Sequence, residues 1–218
     1  MSLRYERKFQ VDHLALPLVR EIIRAHPAGW RPLYPDRTIH NLYFDTPGLT
    51  THAHNLLGAS ARRKVRVRWY GDSAADVAQP TLEIKRRLNQ LGDKLSYPVT
   101  AWDWQSLRVL TQEVRTHVPD APALVPQLYN RYRRAYYGTG DGRFRLTVDW
   151  SLTYLPLALV SAGSLPGALA RSRYVQPGIV VELKYAAEDD ETALRIAEHI
   201  PFRITKKSKY ATGMLVVG

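Results

Sequence analysis

Residues 61–70 read Ala-Arg-Arg-Lys-Val-Arg-Val-Arg-Trp-Tyr, with base and hydrophobe alternating at a period of two from Lys64 to Trp69. Side chains alternate faces along a strand, so Arg62, Lys64, Arg66 and Arg68 share one face and Val65, Val67 and Trp69 the other. A helix would scatter the same residues around its circumference. The segment is therefore predicted to be a strand with one basic and one apolar face, and the remaining strands must match it.

The same alternation recurs along the chain. Arg4, Glu6 and Lys8 oppose Leu3, Tyr5 and Phe9, and Glu83, Lys85 and Arg87 oppose Leu82, Ile84 and Leu88. Arg143, Arg145 and Asp149 oppose Phe144, Leu146, Val148 and Trp150, and Glu182 and Lys184 oppose Val181, Leu183 and Tyr185. Arg134 shares its face with Asn130, Tyr132 and Tyr136. Eight strands are expected, near 3–11, 38–45, 61–70, 80–88, 93–99, 129–139, 143–150 and 178–186. Helices are expected where Leu14, Leu18, Ile22 and Ile23 recur before Pro27, and where a Thr100/Asp103 capping box precedes Leu107, Leu110, Val114 and Val118. Two more are expected after Asp189-Asp190 and over 206–215. The stretch 152–169, interrupted by Pro156, Gly163, Pro166 and Gly167, is expected to be a loop or a short helical excursion.

Across six strands the charged face collects twelve bases and four acids, a surplus of eight out of the chain's net +11. Like charges opposite one another destabilise a sheet, so this face calls for a polyanion. An open sheet could lie on nucleic acid, and a closed eight-stranded barrel is wide enough for one narrow ligand. Base-stacking surfaces carry aromatics on the charged face. Here Phe9, Trp69, Phe144 and Trp150 fall on the apolar face, so nucleic acid is not expected. The expected fold is α+β: a closed eight-stranded antiparallel β-barrel with a basic lumen, covered by a few helices and formed by 1–218 as one domain. A carboxylate among so many bases repels phosphate unless it holds a divalent cation. Glu182 is the first candidate, then Glu83 and Glu6.

The 218 residues contain no cysteine, which excludes disulfides and thiolate chemistry. Residues 1–9 lack the apolar core of a signal peptide, and no run reaches about 18 apolar residues, so no membrane segment and a cytoplasmic location are expected. No Ser/His/Asp arrangement is evident, and His52 and His54 read as surface residues.

Taken in order, several segments resemble the catalytic domain of the vacuolar transporter chaperone (VTC) family, polyphosphate polymerases among the triphosphate tunnel metalloenzymes, in a stand-alone bacterial form. They are Tyr5-Glu6-Arg7-Lys8-Phe9, Leu42-Tyr43-Phe44-Asp45-Thr46, Val65 to Gly71, Leu82-Glu83-Ile84-Lys85, Tyr132 to Tyr137, Arg145 to Asp149, Glu182-Leu183-Lys184 and Lys206 to Tyr210. The resemblance implies phosphate-clamping roles for Lys8, Arg66, Arg68, Lys85, Arg134 and Arg145. It implies substrate contacts from Lys94, Lys184, Lys206 and Lys209; Arg4 and Lys64 join them from the charged face. Arg131 and Arg133 are alternatives to Arg134. Glu182 matches the metal-binding glutamate, and the metal is Mn2+ or Mg2+. Hydrolytic members carry Glu-x-Glu-x-Lys on the first strand, where this chain has Arg4-Tyr5-Glu6-Arg7-Lys8. That departure favours polyphosphate synthesis from ATP over a simple triphosphatase; a non-catalytic polyphosphate-binding module is the other alternative. The expected ligands are ATP, polyphosphate, tripolyphosphate or pyrophosphate.

Overall fold

The computed structural model describes residues 4–88, 91–121, 123–159, 165–206 and 208–217. Ten strands run in chain order: β1 (Arg4–Val11), β2 (Arg31–Asp45), β3 (Ala61–Tyr70), β4 (Thr81–Leu88), β5 (Leu91–Pro98), β6 (Val125–Gly138), β7 (Arg145–Pro156), β8 (Tyr174–Gln176), β9 (Ile179–Ala186) and β10 (Arg203–Thr205). Six α-helices accompany them: α1 (Leu16–Ala25), α2 (Thr50–Leu56), α3 (Leu107–Thr116), α4 (Leu165–Ser172), α5 (Asp190–Glu198) and α6 (Lys209–Val217). The strands are hydrogen bonded in the order β10-β1-β9-β7-β6-β2-β3-β4-β5, with β8 against β7. Each register resolved along it is antiparallel.

Two expectations about the sheet are corrected. It has ten strands rather than eight, and among the described residues this order is an open path, with no pairing that joins β10 to β5. The extra strands β8 and β10 are three residues each, too short to carry a period-two signal. β2 starts at Arg31, seven residues early, through an exposed stretch containing two prolines. β7 runs on to Pro156 and α4 follows, so part of the expected loop is strand and helix. Arg143 precedes β7 and pairs with Asp189, which removes it from the charged face.

The helix expected from Thr100 begins instead at Leu107. Asp103 accepts from the backbone N–H groups of Gln105 and Ser106, at 2.9 and 2.7 Å, closing a turn ahead of the helix. In α1 the buried side chains are Val19 and Ile23, whereas Leu14 and Leu18 are exposed.

The chain divides into two compact units, each with its own core. Unit 1 comprises residues 1–37, 132–152 and 176–207, and unit 2 comprises 38–131, 153–175 and 208–218. In unit 2 the apolar faces of β3 and β4 bury Val65, Val67, Trp69, Leu82 and Ile84 with Leu110 and Val114 of α3. Each such side chain contributes about 1.5–3 kcal/mol on burial. In unit 1 Phe9, Leu146, Val148, Val181 and Leu183 pack with α1 and α5 through Val19, Ile23, Ala193 and Ile196. The turn before β9 needs Gly178: its φ is +88°, and a Cβ there would lie 2.7 Å from Gln10 Nε2 and from the Val11 carbonyl oxygen.

Candidate functional site

Strand register stacks the charged residues of unit 2 into rows. Arg62 faces Arg87, Lys64 faces Lys85, which faces Lys94, and Arg66 faces Glu83, which faces Ser96. Arg68 faces Thr81. At about 3.3 Å per residue, the bases of β3 extend over roughly 20 Å. Lys64, Lys85 and Lys94 form one row of three lysines at directly opposed backbone positions, and Glu83 is the single acid among the seven bases of these rows.

Glu83 is buried and holds three of those bases. Arg66 donates to its Oε2 at 2.7 Å through Nε and lies 2.5 Å away through Nη2. Arg68 stands 3.8 Å from the same oxygen, and Lys94 Nζ is 2.5 Å from Oε1. Burial works against the carboxylate charge, but Arg66, Arg68 and Lys94 outweigh it and hold the group well below the usual carboxylate range. Glu83 is thus placed as a counterion within the basic rows, with both oxygens taken up by cations.

Neutral groups orient the guanidiniums. Arg66 donates to Tyr43 Oη at 3.3 Å, and Arg68 donates to Asn41 Oδ1 at 2.9 Å. Tyr43 stacks on Tyr210 at 5.1 Å, and Tyr210 donates to Asp45 at 2.6 Å. The buried Asp45 carboxylate also accepts from the N–H groups of Thr51 and His52 in the first turn of α2. Lys64 donates to Ser208 Oγ at 2.9 Å, just ahead of α6. Gly213 lets α6 lie close: a Cβ there would meet Leu128 and Tyr154 at 2.5–2.6 Å. Lys209 is partly buried at the start of α6, and Lys206 is exposed.

Unit 1 has a different charge balance. Across β1, β9 and β7, Lys8 faces Glu182, which faces Thr147, and Glu6 faces Lys184, which faces Arg145. Lys8 lies 2.8 Å from Glu6 and Lys184 lies 3.1 Å from Glu182. Arg134 is buried and donates to both oxygens of Asp149, at 2.5 and 2.6 Å, and to Glu182 at 3.3 Å. Burial disfavours its charge, but Asp149 leads the interactions that keep Arg134 fully protonated. Tyr132 and Tyr136 flank the same guanidinium, at 5.2 and 5.9 Å. Desolvation and the charge of Glu182 push the Glu6 carboxyl up; Lys8 and Lys184 outweigh both and leave it below its ordinary range.

Of the residues singled out from sequence, Arg66, Arg68, Lys64, Lys85, Glu83 and Lys94 fall together in unit 2, and Lys8, Glu6, Glu182, Lys184, Arg134 and Arg145 in unit 1. The side chain of Arg4 lies outside the described residues. Arg134 is distinguished from its neighbours, because Arg133 sits over the Trp150 ring on the opposite sheet face. A surface groove of about 410 Å3 in unit 1, lined by Arg20, Asp36, Arg133 and Trp150, includes no residue of either charged set. Sequence reasoning missed Asn41, Tyr43, Ser208 and Tyr210 as supports of the basic groups, and gave Asp149 no role. Tyr43, Ser208 and Tyr210 stood inside matched motifs, while nothing in the sequence marks Asn41.

The profile of the VTC domain matches residues 3–217. The chain belongs to the VTC domain family. No curated protein matches it. Among solved structures, this VTC domain is similar to a candidate adenylate cyclase of Bacillus halodurans, with TM-score 0.55, 11% identity, and coverage of 97% of this chain and 96% of that one. It is also similar to a candidate adenylate cyclase of Vibrio parahaemolyticus (0.54, 9% identity, 95% of each chain). A third is a candidate adenylyl cyclase of Hippeastrum described as having a dominant triphosphatase activity (0.53, 17% identity, 97% and 96%). At these identities the likeness is one of fold alone. No helix among the described residues of the VTC domain is long and apolar enough to cross a membrane.

No group of three or more His, Asp or Glu side chains that could hold a metal ion is found among the described residues. Mg2+-type ions bind through one or two carboxylates completed by phosphate oxygens and water. Glu182 and Glu6, hard oxygen donors on neighbouring strands, fit an ion shared with phosphate rather than one held by protein alone.

Proposed function

We propose that this chain performs metal-dependent phosphoryl transfer on triphosphate or polyphosphate chains, with polyphosphate synthesis from ATP as its reaction. The row Lys64–Lys85–Lys94 is the observation that carries the proposal. Like charges on directly opposed positions destabilise a sheet, and with Lys94 on Glu83 and Lys64 on Ser208 one acid still serves the seven bases of these rows, a surplus that a polyanion would offset. The whole chain, 1–218, acts as one domain on this proposal.

In phosphoryl transfer, catalysis consists of positioning and charge stabilisation. Lys8, Arg66, Arg68, Lys85, Arg134 and Arg145 would clamp phosphate oxygens. Lys64, Lys94, Lys184, Lys206 and Lys209, with Arg4, would extend the contacts along the chain. Asp149 would hold Arg134 in place through its paired hydrogen bonds. A terminal phosphate oxygen of the acceptor attacks the γ-phosphorus of ATP in line; the bond to the β,γ-bridging oxygen breaks and ADP leaves. Glu182, with Glu6, would hold Mn2+ or Mg2+, which would supply charge neutralisation at the phosphate oxygens. Glu83, engaged by three bases, is better suited as a counterion than as a metal ligand.

Hydrolysis is the second reading, supported by the triphosphatase activity described for the Hippeastrum structure. Arg4, standing where hydrolytic members carry a glutamate, supports synthesis. Incubation with ATP and Mn2+, with polymer resolved on gels and orthophosphate measured, tests the proposal beside Glu182→Ala. Polymer absent from the variant is expected. Orthophosphate alone would mean a triphosphatase, and phosphate binding without turnover would leave a binding module.

A further inference from the structure

We infer that the carboxylates of unit 1 are closed to a divalent ion until a phosphate chain draws their lysines away, so that metal and phosphate are bound as a linked pair. The inference rests on the phosphate-binding function proposed above and specifies how its metal is admitted.

The acids and bases of β1 and β9 form a checkerboard. Lys8 faces Glu182 and Glu6 faces Lys184 across the strands. Within the strands, Lys8 lies 2.8 Å from Glu6 and Lys184 3.1 Å from Glu182. Arg134 adds a bond of 3.3 Å to the Glu182 oxygen that Lys184 engages. The two glutamates and two lysines sum to zero charge, and the adjoining Arg134–Asp149 pair is also neutral. An approaching cation thus meets no net negative charge, and at Glu6 Oε1 and Glu182 Oε2 it must replace an ammonium or guanidinium group. A polyphosphate reverses this balance, because it offers Lys8 and Lys184 alternative partners and supplies oxygens to complete the ion's shell. Coupling of this kind is reciprocal, so the ion must tighten phosphate binding by the same factor as phosphate tightens ion binding.

Removing a lysine should therefore create metal affinity where the wild type has little. The experiment titrates the full chain with Mn2+ in phosphate-free buffer and follows the loss of the free-ion electron paramagnetic resonance signal. Wild type is expected to leave the signal nearly unchanged. Lys184→Met should bind Mn2+ at least tenfold more tightly, and adding Glu182→Gln should abolish the gain. Lys8→Gln serves as the second variant, with the same expectation, should Lys184→Met fail to fold by circular dichroism. Tight Mn2+ binding by wild type that depends on Glu182, or no gain in either folded lysine variant, overturns the inference. Calorimetry with tripolyphosphate in metal-free buffer separates the two claims. If wild type fails to bind it, the phosphate-binding function falls, and a gain of Mn2+ affinity in the lysine variant would still show that the ion pairs block the site.

Discussion

Glu83→Gln keeps the shape of the side chain and removes the only negative charge from the basic rows of unit 2. Breaking a buried ion pair by neutralising one partner costs about 3–5 kcal/mol. Arg66 and Glu83 are 13% and 6% exposed, which puts the pair near that regime. Arg66 keeps its contact to Tyr43, Arg68 keeps Asn41, and the new amide still offers one acceptor oxygen. Those retained contacts point to the lower end, about 3 kcal/mol. Lys94 is 48% exposed, so its share is screened and adds less than about 1 kcal/mol. For a chain of this size the loss lowers Tm by about 6–12 °C. Saturating tripolyphosphate should restore much of it, because the ligand replaces the missing charge. The variant should bind this ligand more tightly than wild type, each tenfold gain adding about 1.4 kcal/mol of ligand-linked stability. Denaturant midpoints followed by circular dichroism, with and without ligand, provide the measurement. A variant within about 1 kcal/mol of wild type without ligand, or one that gains less from ligand than wild type, would refute the counterion role. If binding in Mn2+ fell while ligand-free stability held, Glu83 would be a metal ligand after all.

Asp149→Asn strips the bidentate partner from buried Arg134 and leaves it Glu182, so a stability loss of about 3 kcal/mol is expected in urea melts, against under about 0.5 kcal/mol for exposed Arg133→Ala. Tyr210→Phe keeps the stack on Tyr43 but removes a hydrogen bond to the buried Asp45 carboxylate; with two N–H donors of α2 retained, the cost should be about 1–2 kcal/mol, read by thermal melts. His40 is fully buried, its Nε2–H donating to the Gly71 carbonyl and its Nδ1 accepting from Tyr129, and burial lowers its pKa to about 4. The unfolded chain takes up this proton near pH 6.5 and the folded chain only near 4, so stability is intact above 6.5 and falls by roughly 3 kcal/mol as pH drops through that window. His40→Asn should flatten that part of the pH–stability profile, and an unchanged slope would contradict the assignment.

The alternation of Lys64 to Trp69 was enough to place β3, its two faces and the basic rows, because a period of two has one structural solution. Partner strands followed wherever the same period ran for six residues or more. β8 and β10 are shorter than that, and the start of β2 carries prolines and charges on both sides, so no periodic signal existed to read. Arg143 kept the right parity, but the chain leaves the sheet before Arg145, and parity alone cannot show where a strand starts. The failed capping box has a similar cause: Asp103 spends its carboxylate on its own turn, and the helix waits for Leu107. Candidate site residues that carry charge were legible, since charge is visible in composition and phase. Asn41 and Ser208 hold Arg68 and Lys64 by single hydrogen bonds fixed only once the strands and α6 are packed, which no sequence pattern records.

The distribution of acids separates binding from chemistry. For holding a polyanion, the rows of unit 2 suffice, with one acid among seven bases. A binding module would gain nothing from acids in unit 1, where Glu6, Glu182 and Asp149 nearly cancel Lys8, Lys184, Arg134 and Arg145. Asp149 alone neutralises the Arg134 charge through two short bonds. Glu182, reaching the same guanidinium at 3.3 Å, is a second buried carboxylate that neutralising Arg134 does not require, and burying it costs free energy. Phosphate would be repelled by it, and the lysines beside it would clamp phosphate better in its absence. Lys184 and Arg134 offset part of that cost in the free protein; on the proposed function a cation shared with the substrate would give the carboxylate a use that a binder lacks, so the acids of unit 1, more than the bases of unit 2, are what the proposal of an enzyme rests on.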